Sequence, residues 1–382
     1  MSKRIYLDYA AAAPLDPRVK AEMDRVEKLW ANASSLHEEG RAARAVIDEA
    51  RAKMAETLGV QTDELVFTSG ATEANVLALR GIVDFAKAAG ERPHLVVSKI
   101  EHPSVKETAE QLEKTGVEVT WLNVDARGLV DVDELSRTIK ENTVLVSVIY
   151  ANHELGVVQD LAGLAQAIKA KNPKTFFHTD AAQALGWLGA DLKQLNIDLL
   201  TGSAYKLYGP KGVGFLYVRK NVKLSPLFSG FQEWGKRAGT EPTALIAGLA
   251  KALEISAAWP VPRVREMRDN LISEFLKNVD GAICNTWPEQ SVPHIAHFSL
   301  AGVESQLLTI ALDRAGLAAS PGSACSSGAV QISHIVQAIG IDLQKYPGSL
   351  RLSLGIDTQE REVAEAVNIL KNVIRELRKN SA

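Results

Sequence analysis

The sequence predicts an α/β protein, with a large domain built on a mostly parallel seven-stranded sheet and a smaller α+β domain toward the C-terminal end. Between residues 60 and 220, short β-branched runs alternate with helical stretches. Those runs are continuously apolar rather than alternating, the pattern of strands covered on both faces. The alternation stops near Pro260 and Pro262, in AAWPVPRV. A chain of 382 residues also exceeds one small core, so two domains are expected. They are placed at 16–259 and at 1–15 with 260–382.

The elements follow in order. Residues 36–58 carry Ala43, Val46, Ile47, Ala50 and Met54 at one-face helical spacing. Strands are expected at 65–68, 94–98, 117–122, 143–150, 175–179, 197–200 and 213–218, with helices at 72–88 and 161–170 between them. Beyond residue 260, strands are expected at 295–300 and 350–354. A last helix starts near Asp357 and Thr358, both good caps. It presents Val363, Ala366, Val367, Leu370, Val373 and Leu377 on one side.

With 46% hydrophobic and 23% charged residues, the composition is that of a globular soluble protein. A net charge of −3 argues against a dedicated nucleic-acid surface. No apolar run approaches the ~20 residues of a spanning helix, and MSKRIYLDYAAAAPLDP does not read as a secretion signal. The two cysteines, Cys284 and Cys325, exclude a disulfide scaffold and a Cys-rich zinc site. A reducing, cytoplasmic setting is expected, with no metal, membrane or direct nucleic-acid partner. Cys284 reads as a small buried hydrophobe. Cys325 sits in ASPGSACSSGAV, a run of small residues that suits an exposed segment and a reactive thiol.

Several segments carry chemistry. In TSGATEAN (68–75), Gly70 turns the chain into a helix start that offers N–H groups to an anion, or is simply capped by Ser69 and Thr72. His102 in KIEHPSV is either a structural residue or a proton shuttle. Asp180 ends the FFHT strand, three residues before Gln183. It is either a helix cap or an acid aimed into the crevice where α/β folds bind ligands. The segment QEWGKRAGT (232–240), with Arg237 and Thr240, is either a surface loop or a phosphate contact. Arg351, flanked by apolar residues in LRLSLG, needs a partner, and a carboxylate is one it grips bidentately. Lys206 in TGSAYKLYGPKGVG, with the separate carboxylate of Asp180, is the pair that pyridoxal phosphate (PLP) chemistry uses. The amine holds the cofactor, and the acid keeps the ring nitrogen protonated.

In this order, YLDYAAAAPLDPRV, NASSLHEEGR, ELVFTSGATEAN, EHPSV, ELGVVQD, HTDAAQ, YKLYGPKGVG, RAGT, GSACSSG and LRLSLG resemble the cysteine desulfurase family. These are fold-type I PLP enzymes, and the GSAC segment favours the NifS/IscS-like branch. The resemblance implies that Lys206 holds the cofactor and moves the substrate's α-proton, with Asp180 paired to the ring nitrogen. It implies that His102 stacks on the ring and that Gln183 bonds its phenolic oxygen. Thr72, the Ala71 backbone and Ser203 would hold the phosphate. Thr240 would reach the neighbouring subunit's phosphate in a homodimer with shared sites. Arg351 would bind the carboxylate of L-cysteine, and Cys325 would take its sulfur as a persulfide and pass it to an acceptor protein for iron–sulfur clusters or tRNA thiolation.

Two site positions depart from that family. Tyr205 precedes the lysine where His is usual; its hydroxyl still suits phosphate. His153 stands in Asn152-His153-Glu154 where a second Asn contacts cofactor and substrate, and its N–H suits the same phenolic oxygen. Pro321 also stiffens the start of the GSAC segment. Selenocysteine cleavage, transamination on the same fold and a weakly active sulfur-relay scaffold are the rival functions.

Overall fold

The computed structural model describes residues 4–189, 191–192, 195–322 and 333–381, so Cys325 lies outside the described residues. After the short strand β1 (Ile5–Tyr6), one sheet is built from β2 (Leu65–Thr68), β3 (His94–Ser98), β4 (Glu118–Leu122), β5 (Thr143–Ser147), β6 (Phe176–Asp180), β7 (Leu199–Ser203) and β8 (Gly214–Val218). Its order is β2-β8-β7-β6-β5-β3-β4, with β8 antiparallel to both neighbours and the other pairings parallel. Then come β9 (Ala282–Cys284), β10 (Ile295–Leu300), β11 (Leu317–Ala318) and β12 (Gly348–Ser353). β9, β10 and β12 form an antiparallel sheet around β10, and β11 pairs with β1.

Neighbouring strand residues point to opposite faces, so Val66 and Phe67 enter different cores. Val66, Leu95 and Leu145 pack with Leu77, Val83 and Val105 of the helices Ala71–Ala88 and Pro103–Lys114. Phe67, Val96 and Phe177 pack with Ile47, Met54, Leu164 and Ile168 on the other side. Both faces are therefore covered, as continuous apolar strands require.

β2, β3 and β10 occupy the expected spans. β5 leaves regular pairing after Ser147, yet the Val148 and Tyr150 N–H groups still reach the His178 and Asp180 carbonyls. β7 runs to Ser203, past the expected Leu200, because Thr201, Gly202 and Ser203 are buried in the ladder despite their polarity. The first long helix is Glu38–Leu58; His37 Nδ1 accepts from Gly40 N–H and leaves Leu36 outside. The last helix is Glu360–Ser381. Thr358 does not cap it, because its hydroxyl closes the preceding turn by accepting from Gly355 N–H at 2.8 Å.

Strands β3, β5, β6 and β7 are mutually parallel, so their carboxyl ends share one edge of the sheet. The chain order reverses there between β3 and β5, the crevice where such sheets bind ligands.

Candidate active site

At that edge lies a cavity of about 380 Å³. Its lining includes Ala71 and Thr72 from the start of the Ala71–Ala88 helix, His102 after β3, His153 after β5, and Asp180 and Gln183 at the end of β6. Tyr205 and Lys206 after β7 and Arg351 from β12 complete the set. Two glycine motifs are pressed together to shape it. A Cβ on Gly214 would lie 2.8 Å from Gly70 Cα, so only glycine lets these segments meet.

Lys206 sits on a short 3₁₀ turn, Ala204–Leu207, that continues β7. Its Nζ donates to the Ala11 carbonyl at 2.8 Å and to the Ala10 carbonyl. It stands 4.6 Å from the Tyr205 ring centre. Gln183 Nε2 shares the Ala10 carbonyl at 2.7 Å, while its Oε1 lies 3.3 Å from His294 Nε2. Asp180 does not start a helix. Its Oδ1 accepts from Ala182 N–H at 2.9 Å, and its Oδ2 accepts from Asn75 Nδ2 at 2.7 Å.

His102 proves to be both a helix cap and a cavity residue. Its Nδ1 accepts from Ser104 N–H at 3.1 Å, which leaves the ring proton on Nε2. Ser104 Oγ bonds the same Nδ1 at 2.8 Å and accepts from Asn75 Nδ2 at 2.8 Å. Asn75 thus ties the acid and the histidine together, a role the sequence reading missed. The available signal was its position one turn beyond Ala71, on the same helical face. Burial holds the His102 imidazole below its usual range, with Asp180 opposing and Lys206 adding to the shift.

His153 packs edge-on against His102, with ring centres 5.1 Å apart. Both its ring nitrogens are buried without a hydrogen-bond partner. Burial, followed by the nearby His102 and Arg351, holds it neutral, well below the usual range. The Ser203 hydroxyl, at the carboxyl end of β7, is likewise buried and unpartnered, but Ser203 does not line the cavity. Buried polar groups left unpaired cost about 1–3 kcal/mol each, so these are positions where a polar ligand gains most.

Arg351 is buried, its Nη1 donating to the His153 carbonyl at 2.7 Å and its Nη2 to Asp8 Oδ1 at 2.8 Å. Its Nε has no partner. The guanidinium is thus pre-oriented by Asp8, a residue the sequence reading did not single out. The Arg237 Nε donates to Glu73 Oε1 at 2.8 Å. Thr240 is exposed and does not line this cavity. Its segment is anchored by the buried Arg51–Glu233 pair, 2.6 Å, with Glu233 and Trp234 both at positive φ.

Residues 5–365 match the family model for class-V aminotransferases. The cysteine desulfurase IscS of Dictyoglomus turgidum is 39% identical over 383 residues, covering 99% of this chain and 96% of that one. Among solved structures, a NifS-like protein superposes with a TM-score of 0.91 at 31% identity, covering 98% of this chain and all of the other. SspA, solved in complex with cysteine, gives 0.81 at 34% identity, covering 92% and 98%. The chain belongs to the class-V aminotransferases and, within them, to the cysteine desulfurases.

Proposed function

We propose that this chain binds PLP in the cavity at the sheet edge and uses it to move sulfur from L-cysteine to Cys325. One observation carries the reading. A single cavity gathers an amine, an acid and an imidazole, and the buried, unpartnered ring nitrogens of His153 in its lining mark where a polar cofactor fits. PLP, when bound, supplies an electron sink for the carbanion next to the substrate amine. The residues do the rest. The helix start at Ala71 and Thr72, with Ser203 and Tyr205, would take the phosphate. Asp180, fixed by Asn75, would keep the ring nitrogen protonated. His102 would lie over the ring, with Gln183 and His153 donating to its phenolic oxygen.

Arg351, already oriented by Asp8, would take the substrate carboxylate. Lys206 would carry the α-proton. The Cys325 thiolate would attack the substrate sulfur, forming S–S as C–S breaks, so that enzyme thiol and L-cysteine become enzyme persulfide and L-alanine. Cys325 would then pass its sulfur to an acceptor protein.

The exposure of Thr240, away from its own chain's cavity, supports a homodimer in which it reaches the neighbouring subunit's phosphate. Trp30, Leu36 and Phe231 are also exposed at 83%, 90% and 74%. Pairing of β1 with β11, and of Asp8 with Ser353, supports assigning residues 1–15 to the C-terminal domain.

Purified protein given PLP and L-cysteine with a reductant should release L-alanine and sulfide in equal amounts. Pyruvate-dependent amino transfer without sulfide would favour the aminotransferase reading instead. Asn75→Ala, which removes one bond to Asp180 and one to Ser104, should weaken PLP binding about tenfold, the effect of ~1.4 kcal/mol. Fluorescence titration of the cofactor-free protein checks it, and unchanged affinity would refute the Asp180 assignment.

A further inference from the structure

His294 is a buried imidazole with no task in the proposed reaction. It directly precedes β10, and its carbonyl accepts from Leu354 N–H at 2.8 Å, just beyond β12, so the small sheet fixes its backbone. The residue is 1% exposed. Its ring lies flat on Trp187, with centres 4.3 Å apart and planes 12° apart. Trp187 in turn packs on Trp259 at 4.6 Å. Beside it Gly186 has φ +80, and a Cβ there would lie 2.6 Å from Trp259, so only glycine lets this platform form.

His294 Nδ1 is buried without a hydrogen-bond partner, whereas Nε2 lies 3.3 Å from Gln183 Oε1. The other end of the amide places the proton. The Ala10 carbonyl can only accept, so the Gln183 atom 2.7 Å from it must be the nitrogen. The atom facing His294 is then the amide oxygen, and His294 must carry its proton on Nε2 and donate. Burial, followed by the charges of Arg268, Arg351 and Lys206, keeps the ring neutral, well below its usual range. Ala10 uses one hydrogen of Gln183 Nε2. The second is left for a ligand in the cavity that Gln183 lines.

We propose that His294 is a positioning residue: its Nε2–H holds the Gln183 oxygen and so commits the Gln183 amide to donate to the phenolic oxygen of PLP. The proposal rests on the PLP reading, which gives Gln183 its acceptor. His294 does not line the cavity, so it acts only through Gln183.

The test titrates the cofactor-free, full-length chain with PLP and with its deoxy analogue, which lacks the phenolic oxygen, following protein fluorescence. His294→Phe keeps a ring for Trp187 but has no donor. His294→Leu, smaller than Phe, has neither. His294→Gln loses the ring but carries an N–H the same number of bonds from Cβ. In His294→Phe and His294→Leu, PLP affinity should fall about tenfold, the scale of a buried acceptor left unpaired. Affinity for the analogue should stay within about twofold, since the misdirected amide has no bond to lose there. His294→Gln should bind PLP as the parent does. His294→Phe added to Gln183→Ala should cost nothing further, because the two residues act through one bond.

Unchanged PLP affinity in both donor-free variants, equal losses for PLP and the analogue, His294→Gln losing PLP as His294→Phe does, or additive losses with Gln183→Ala would each overturn the proposal. A parent chain that binds no PLP refutes the PLP reading instead. NMR of the same cofactor-free chain with isotope-labelled histidine then decides the contact alone. His294 should be protonated at Nε2, with a signal that moves in Gln183→Ala, and an unmoved signal would rule out the bond.

Discussion

Lys206→Ala should yield a folded protein that binds PLP only reversibly and turns over L-cysteine ~10⁴-fold more slowly or worse. Loss of a positioned base alone costs ~10²–10⁴, and the covalent attachment is lost with it. The fold should survive because Lys206 is only partly buried, and its turn is held in the apolar core by Ala204 and Leu207, which the substitution leaves in place. Its Nζ is held by carbonyls of Ala10 and Ala11, which line the cavity and regain water when the amine is removed. Borohydride treatment followed by peptide mass spectrometry checks the attachment. Cofactor retained covalently in Lys206→Ala would show that another amine holds it, with Lys211, which also lines the cavity, the first to examine.

Cys325→Ala should separate binding from sulfur transfer. Arg351, Asp180 and Lys206 are untouched, so L-cysteine should still perturb the cofactor's absorbance with near-parent affinity. Alanine formation should fall by at least ~10³-fold, the scale of losing a nucleophile. Cys284 cannot take over. It sits on β9 away from the cavity, its Sγ donates to the Thr286 carbonyl at 3.3 Å, and burial pushes its thiol to about 11. At neutral pH it carries almost no thiolate, the reactive form. Alanine release that survives in Cys325→Ala would remove the persulfide step from the mechanism.

The architecture was legible because its strands are buried on both faces and their apolar runs are uninterrupted. β2, β3 and β10 could be bounded to the residue. β7 could not, since its last three residues look like a loop in sequence and are made strand by pairing with β8. The same limit applied to the site. Lys206, Asp180, His102 and Arg351 stood out as chemically odd residues in motifs, and the fold brings all four to one cavity. Their partners did not stand out. Asn75 meets Asp180 across 105 positions and Asp8 meets Arg351 across 343, so no local pattern announces either pair.

The two departures from the family acquire physical content. Tyr205 places an aromatic face beside Lys206 Nζ, 4.6 Å from the ring centre, where a cation gains from the ring's negative face. His153 contributes a neutral ring whose nitrogens are both buried and unpartnered, so it enters the cavity as a donor without adding charge.

In the proposed reaction, sulfur leaves L-cysteine by landing on Cys325. A single turnover of the PLP-loaded protein with L-cysteine and no reductant tests it most directly, by comparing the alanine released with the sulfur added to the Cys325 peptide. Equal amounts of the two are predicted, with none on Cys284. Alanine appearing without added sulfur on Cys325 would rule out transfer to that thiol.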